Sequence, residues 1–306
     1  MSEPEFVQKA DPEEVFAALS DDTRVAILRA LWDAEGDILP FSALREAVGI
    51  RDSGQFNYHL GKLVGQFVRQ TDDGYKLTRA GMQINGAIEA GAYTMEASLE
   101  PIELDSPCPT CDSDRTLHYE DDTVRVECAS CTASARFGVP PNVLAGHDRD
   151  TIPSVAGRYM QSTFERITDG FCSFCDGAVD PTVGPMDEFI EAPEELPDDV
   201  PDEFLERVQN LPFVQYDCEQ CGATPSGSLR AVFLSHPAVV SFHYDRGIDV
   251  RNLSIWDVAG FDPESETICQ REPFRASATF TVDDDSLTLV VDDHLDVVEI
   301  ERDRNA

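Results

Sequence analysis

The sequence predicts an α+β fold in three parts, and three patterns along the chain support this prediction. Residues 52–78 change from helical to alternating apolar spacing, four Cys-x-x-Cys pairs follow, and residues 267–300 alternate as antiparallel strands. We expect an N-terminal helical domain at residues 1–100, a small cysteine-bound module at 101–138 and a C-terminal α+β domain at 139–306.

The first pattern is a helix that Asp52 or Ser53 caps, followed by a hairpin. The helix carries one apolar stripe, formed by Phe56, Leu60, Leu63, Val64 and Phe67. Two short strands, 68–70 and 75–78, flank an Asp73-Gly74 turn, which is a strong hairpin signal. A polar-faced helix and a hairpin of this kind are the recognition helix and wing of a winged helix-turn-helix domain, which presents side chains to the major groove of DNA.

Further helices on both sides complete such a domain. A first helix runs from Asp11 to about Leu19, a second starts at Ser20-Asp21-Asp22, and a third covers 41–48, where Gly49 ends it. After the hairpin, a helix from Arg79 to about Leu99 combines an apolar stripe with three glycines. Such a helix either packs on its own domain or forms a dimer interface, and we favour the dimer. Residues 101–107 are expected to be a linker.

The charge distribution supports a phosphate-facing surface in the same segment. The chain carries 59 Asp and Glu against 23 Lys and Arg, for a net charge of −36, yet residues 53–88 contain only two acids, Asp72 and Asp73. The basic residues of that segment are Lys62, Arg69, Lys76 and Arg79. A local positive balance predicts contact with nucleic acid, and the alternative is an ordinary small α/β domain. The acid-rich, Lys-poor surface is typical of a salt-saturated cytoplasm, where a Debye length of about 3 Å screens the repulsion.

Residues 19–28, LSDDTRVAIL, and residues 56–63, FNYHLGKL, resemble the opening signature and the recognition-helix pattern of ArsR-like winged-helix regulators of the haloarchaeal type. The resemblance covers about the first 95 residues and implies a homodimeric regulator that binds double-stranded DNA sequence-specifically. It implies that the DNA-facing residues are Ser53, Gln55, Asn57, Tyr58, His59 and Lys62, with Arg69 and Lys76 reaching phosphates from the wing. Residues 1–107 contain no Cys, so the thiolate sensor site of the metal-sensing members is missing.

The second pattern predicts two metal sites. Cys108, Cys111, Cys128 and Cys131 form two knuckles joined by a hairpin, which is a zinc ribbon, because tetrahedral Zn²⁺ needs four thiolates at about 2.3 Å. A rubredoxin-like iron site shares this geometry, and a disulfide pair is disfavoured in the cytoplasm. Cys172, Cys175, Cys218 and Cys221 form a second set, in which 42 residues separate Cys175 from Cys218. Adjacent and crossed pairing of the knuckles both remain open, and Cys269 is expected to be a buried thiol in a strand.

The rest of the chain predicts a C-terminal α+β region with an antiparallel meander. Helices are expected at 151–168, at 202–209, after 237 and at 252–259, a strand at 229–234, and three or four strands from Thr267 onward. An acidic stretch occupies residues 191–202. The segment 139–306 is similar to an uncharacterised C-terminal domain attached to winged helices in extreme halophiles, a resemblance that implies no chemistry.

Several function classes are disfavoured. The first twenty residues lack an apolar core, and no run of 18 apolar residues occurs, so we expect a cytoplasmic protein with no membrane partner. No phosphate-binding loop, nucleophile elbow or His-Glu-x-x-His site occurs, and four-thiolate zinc is structural, so we do not expect an enzyme. The leading interpretation is a DNA-binding transcriptional regulator whose zinc-stabilised C-terminal region binds an effector or partner. The alternative is a protein-interaction component of the general transcription machinery, because a winged helix plus a zinc ribbon is also similar to the archaeal factor that helps open promoters.

Overall fold

The computed structural model describes residues 11–91, 95–108, 111–131, 134–189, 210–258 and 265–303. The chain divides into two compact units, Met1–Met95 and Glu96–Ala306, which we call the N-terminal and C-terminal units. The predicted module 101–138 and domain 139–306 lie within a single unit and share one hydrophobic core.

The N-terminal unit has a helical order compatible with a winged helix-turn-helix domain. Its elements are α1 Pro12–Leu19, α2 Asp22–Asp33, α3 Phe41–Val48, α4 Ser53–Leu63, β1 Val68–Thr71, β2 Gly74–Leu77 and α5 Arg79–Glu89. The sequence signals for the helix starts are confirmed, because the side chains of Asp11, Asp21, Asp52 and Thr78 each accept a backbone N–H of the helix that follows.

Helix α4 buries its apolar stripe against α2 and α3. Phe56, Leu60 and Leu63 are fully buried and share a core with Ile27 and Leu44. The stripe was predicted to extend to Phe67, but the helix ends at Leu63, and Phe67 is buried in the segment that follows. Gly65, at φ +97°, adopts a left-handed backbone there.

The wing is a two-stranded antiparallel hairpin with a different turn from the predicted one. Thr71 pairs with Gly74, so the two-residue loop is Asp72-Asp73 rather than Asp73-Gly74. Gly74 instead lets the hairpin approach the chain before α3, where Leu39 and Tyr75 form a backbone bridge. A Cβ atom at position 74 would lie 2.3 Å from the Leu39 oxygen.

Helix α5 is shorter than predicted. It ends at Glu89 rather than near Leu99, and Gly91 follows at φ +67°. Met82 of the predicted apolar stripe is 47% exposed, whereas Asn85 is buried and donates from Nδ2 to the Leu28 oxygen on α2.

The described residues of the C-terminal unit form three antiparallel sheets and a central helix. Its elements are β3 Leu99–Leu104, β4 Arg115–Glu120, β5 Thr123–Cys128, β6 Ser134–Gly138, α6 Pro141–Leu144, α7 Ile152–Thr168, β7 Val179–Pro185, β8 Pro212–Cys218, β9 Ser226–Ser228, α8 Leu229–Val232, α9 Pro237–Tyr244, α10 Ile255–Val258, β10 Glu266–Arg271, β11 Phe274–Val282, β12 Asp285–Val291 and β13 Val297–Asp303. The sheet orders are β3-β4-β5-β6, β7-β8-β9 and β10-β11-β12-β13. The last of these confirms the predicted meander, and α7 confirms the predicted helix at 151–168.

Three other predictions for this unit are wrong. The expected linker at 101–107 contains most of β3, the edge strand that pairs with β4. The expected strand at 229–234 is the short helix α8 followed by a turn of 3-10 helix, and the Ser228 side chain caps α8 by accepting the N–H of Ala231. Cys269 lies in β10 as expected, but it is exposed. The predicted helix at 202–209 and the acidic stretch at 191–202 lie outside the described residues.

Candidate metal centres and nucleic-acid interface

Eight cysteines form two four-sulfur groups, and each group joins adjacent knuckles. One group contains Cys108, Cys111, Cys128 and Cys131, and the other contains Cys172, Cys175, Cys218 and Cys221. Within each group all four sulfur atoms lie within 4.8 Å of one another. Adjacent pairing is therefore the arrangement in the structure, and the crossed pairing left open by the sequence does not occur.

Both groups are built by the same structural module. In each, a knuckle precedes a strand, a second strand ends on the third cysteine, and a further strand follows the second knuckle. The register is equivalent, because Arg115 at the start of β4 pairs with Cys128, and Val179 at the start of β7 pairs with Cys218. The second site is thus a zinc-ribbon-like element like the first, although the long separation of its knuckles concealed this in the sequence.

The backbone of the knuckles repeats as well. In the first knuckle of the two groups, the N–H of the leading cysteine donates to the carbonyl five residues later, at 2.8 Å in both Cys108→Ser113 and Cys172→Gly177. The residue after the second cysteine adopts positive φ in three knuckles, at Asp112, Asp176 and Gly222. Gly222 adopts this backbone without a Cβ penalty, and the two aspartates show that the position does not require glycine.

The sulfur positions fit a tetrahedral ion. Four ligands at about 2.3 Å from a metal are separated from one another by about 3.8 Å. Two sulfur pairs of the first group are 3.7 Å apart for Cys108–Cys131 and 3.4 Å apart for Cys111–Cys128. In the second group the corresponding distances are 3.6 Å for Cys172–Cys221 and 3.5 Å for Cys175–Cys218. Both groups are compatible with structural metal sites.

The pKa values of the cysteine thiols are also consistent with a bound cation. A hydrogen bond from the Ser113 side chain lowers the pKa of Cys111 to about 6. Burial raises the pKa of Cys172, but the backbone N–H of Phe174 and of Cys175 outweigh burial and lower it to about 7. At Cys175 the N–H of Gly177 lowers the pKa, but burial and the three neighbouring sulfurs raise it to about 12. Four thiolates this close repel one another, so full deprotonation needs a metal charge at the centre.

The exposed face of α4 carries most of the residues expected to face DNA. Ser53, Gln55, Asn57, Tyr58 and Lys62 are all exposed, and Tyr58 is 60% exposed. The Lys62 ammonium lies 5.8 Å from the centre of the Tyr58 ring, so the two side chains lie on one surface. Helix α4 contains no acidic residue.

His59 differs from its neighbours. Its side chain is only 12% exposed, and its Nδ1 atom lies 3.2 Å from Oδ1 of Asp21, the N-cap of α2. The expectation that His59 faces DNA is not met by this geometry. Arg24 anchors α2 to α1, since its Nη1 donates to the carbonyls of Ala17 and Ala18 on α1.

Arg69 and Lys76 of the wing lie directly opposite each other on β1 and β2. Both line a cavity of about 720 Å³ in the N-terminal unit. Arg79 at the start of α5 also lines it, together with Trp32 of α2 and Met82 of α5. No residue of α4 lines this cavity. The residues expected to face DNA therefore form two groups, one on the exposed face of α4 and one on the wing, where Arg69 and Lys76 lie. Sequence reasoning missed Trp32, because only the tertiary fold brings α2 next to the wing.

The described helices include none that is both long and apolar enough to cross a membrane. No curated protein matches the chain. Residues 12–88 match the family model of a domain of unknown function, DUF7347, and this match covers α1 to α5 apart from its last residue. Residues 105–297 match a second model, the domain of unknown function DUF7351, which includes both four-cysteine groups. Because this second match spans more than half of the chain, the protein belongs to the DUF7351 family.

Proposed function

We propose that the protein is a transcriptional regulator that binds double-stranded DNA sequence-specifically through α4 and the wing. The observation that carries this proposal is the exposed, acid-free polar face of α4 in a chain with a net charge of −36. An acidic chain that only needed solubility would have no reason to exclude acids from one exposed helix face.

The chemistry of this face suits base recognition. The amides of Gln55 and Asn57 can each pair with the N6 and N7 atoms of adenine, and Lys62 can bind guanine or a phosphate. Tyr58 offers an exposed ring and a hydroxyl beside Lys62. Arg69 and Lys76 contribute phosphate contacts from the wing, which position the protein without reading sequence.

The regulator acts as a homodimer in the cytoplasm. The resemblance of residues 19–28 and 56–63 to the homodimeric ArsR-like regulators supports this assembly. Two copies would read half-sites about 34–36 Å apart along the DNA.

The C-terminal unit is stabilised by two zinc ions and binds an effector or a partner. Four thiolates fill the coordination sphere of zinc and leave no open position, so the ions are structural rather than catalytic. Zinc is preferred to iron because a closed tetrahedral thiolate site without redox chemistry is the common structural site.

The direct test is selection of binding sequences from a pool of random DNA duplexes, using the full chain at molar KCl. The wild-type protein should enrich one half-site motif. A Gln55→Ala/Tyr58→Ala/Lys62→Ala variant should enrich none, whereas the control Arg29→Ala/Gln83→Ala, which changes exposed residues of α2 and α5, should enrich the same motif. Failure of the wild-type protein to enrich any motif would overturn the proposal.

A second candidate is an interaction component of the general transcription machinery without its own operator. The two strand-and-knuckle modules that hold the cysteine groups support it, since they add surfaces for protein contacts to those of a winged helix. Under this candidate the triple variant retains association with RNA polymerase, and purified wild-type protein binds DNA without sequence preference.

A further inference from the structure

We propose that the N-terminal unit binds a small amphipathic organic anion in the cavity between α2, the wing and α5. The cavity measures about 720 Å³, which is within the range of small-molecule sites. Its lining combines a cationic side with an apolar side, and each part constrains the chemistry of the ligand.

The cationic side consists of Arg69, Lys76 and Arg79. None of the three forms an ion pair with another described residue, although acids outnumber bases in this chain by 59 to 23. Arg69 and Lys76 are cross-strand partners, and like charges directly opposite each other destabilise a hairpin. One acid, Glu35, also lines the cavity, so the cations remain in excess. A bound anion would relieve this repulsion.

The apolar side explains why the ligand is an organic anion rather than an inorganic one. Trp32 and Met82 are 39% and 47% exposed, and they line the cavity together with the buried Leu31. An aromatic ring and a thioether exposed beside three cations fit a ligand with an apolar body and an acidic head. A second copy of the chain is a poor occupant, because a two-fold interface would place the same cations against one another.

The site suggests how DNA binding is regulated, and this consequence rests on the proposed function. Arg69 and Lys76 cannot serve the anion and DNA phosphates at the same time. Ligand and DNA should therefore compete, and each should weaken binding of the other by the same factor.

Binding is tested by calorimetry on the full chain at molar KCl with 4-phenylbutyrate as the probe. The neutral 4-phenylbutan-1-ol and inorganic phosphate serve as comparison ligands. We expect saturable one-to-one binding of the carboxylate and a Kd at least tenfold higher for the alcohol and for phosphate. Arg79→Gln should raise the Kd for the carboxylate about tenfold, while Arg29→Gln, an equal charge change at an exposed α2 residue, should leave it unchanged.

Tryptophan fluorescence gives a second readout in the same titration. The chain has two tryptophans, and Trp256 is buried, so a ligand-dependent change reports Trp32. Trp32→Phe should remove the signal. Absence of saturable binding, or equal binding by wild type and Arg79→Gln, would overturn the proposal, and phosphate binding as tight as the carboxylate would overturn its organic character.

The regulatory consequence is tested separately with the selected DNA motif. Saturating 4-phenylbutyrate should lower the affinity for DNA by at least tenfold. Ligand binding without any effect on DNA would overturn the competition. If no DNA motif is found while the ligand still binds, the proposed function fails and the site stands.

Discussion

The Nδ1 atom of His59 lies 3.2 Å from Oδ1 of Asp21, so His59 faces the core side of α4. His59 turns inward to the N-cap of α2, whereas Asn57 and Tyr58 are exposed to solvent. Oδ1 of Asp21 also accepts the backbone N–H of Thr23 and Arg24. His59 therefore belongs to the junction of α2 and α4 rather than to the surface proposed to bind DNA.

Exchanging His59 and Tyr58 for alanine should separate stability from DNA binding. His59→Ala should lower the free energy of unfolding by about 1 kcal/mol, because it removes a largely buried polar contact. Tyr58→Ala should leave stability within about 0.5 kcal/mol and weaken DNA binding instead. Urea unfolding and DNA titrations on both variants measure the two effects, and the reverse pattern would place His59 in the DNA interface.

Removal of one cysteine should remove one metal ion. Native protein should release two Zn²⁺ per chain on unfolding, measured with a chromophoric chelator, because each four-sulfur group fits one ion. Cys218→Ser should reduce this number to one and lower the melting temperature. Cys269→Ser is the matched control, because Cys269 is exposed and outside both groups, so two ions should remain. Release of two ions by the Cys218 variant would contradict the assignment.

The wing should depend on the absence of a side chain at position 74. Gly74→Ala places a Cβ atom 2.3 Å from the Leu39 oxygen and forces the hairpin away from the segment before α3. We expect a loss of about 2 kcal/mol in the free energy of unfolding. Gly61→Ala is the control, since its Cβ would meet nothing within 4 Å on the exposed side of α4, and it should stabilise the protein by roughly 0.5–1 kcal/mol.

Among the arginines of the sheet β3-β4-β5-β6, Arg115 should contribute most to the free energy of unfolding. It is 4% exposed, and its guanidinium donates to the oxygens of Ser106, Trp256 and Asp257, linking β4 to α10. Arg115→Ala should cost about 3 kcal/mol, because it leaves a buried carbonyl without its donor.

The control for Arg115 lies on the same sheet. Arg125 forms an ion pair with Glu127 at 2.8 Å, but both side chains are nearly half exposed. Arg125→Ala should therefore change stability by less than about 1 kcal/mol. Equal losses for the two variants would refute a special role for the Arg115 network.

Local signals made the N-terminal unit and the cysteine groups predictable. A cap such as Asp52 and a knuckle such as Cys108 to Cys111 depend on residues within one or two turns, so their patterns survive in the sequence. The contacts of Arg24 are also local in the sequence, since its partners lie six and seven residues away.

Features that depend on distant partners were missed. Strand β3 contains Pro101 and reads as a linker, and it becomes a strand only by pairing at the edge of a sheet with β4. Every residue of the run at 229–234 except Arg230 is buried, so the run carries no clear helical period that would distinguish α8 from a strand. The cavity that Arg69, Lys76 and Arg79 line lies between α2, the wing and α5. The spacing of residues within any one of these elements does not predict it.

Acidification should destabilise the C-terminal unit through His243. Burial lowers the pKa of His243, with a smaller contribution from the charges of Arg230 and Arg246, although its hydrogen bond to the Val239 oxygen raises it. The unfolded chain, with a His pKa near 6.5, therefore binds a proton first, and stability falls as pH drops below about 6.5 towards the folded pKa. His243→Gln should flatten this part of the stability profile. Metal content is monitored in parallel. If the dependence of stability on pH is the same in His243→Gln as in the wild type, groups other than His243 cause it.

The most direct measurement of the central claim is a genome-wide occupancy map of the tagged protein in its own host, by crosslinking and sequencing at native salt. The account predicts sharp occupancy at a small set of intergenic sites that share a half-site repeat, and its loss in the Gln55→Ala/Tyr58→Ala/Lys62→Ala variant. Occupancy spread over every active promoter, retained in that variant, would contradict sequence recognition by α4.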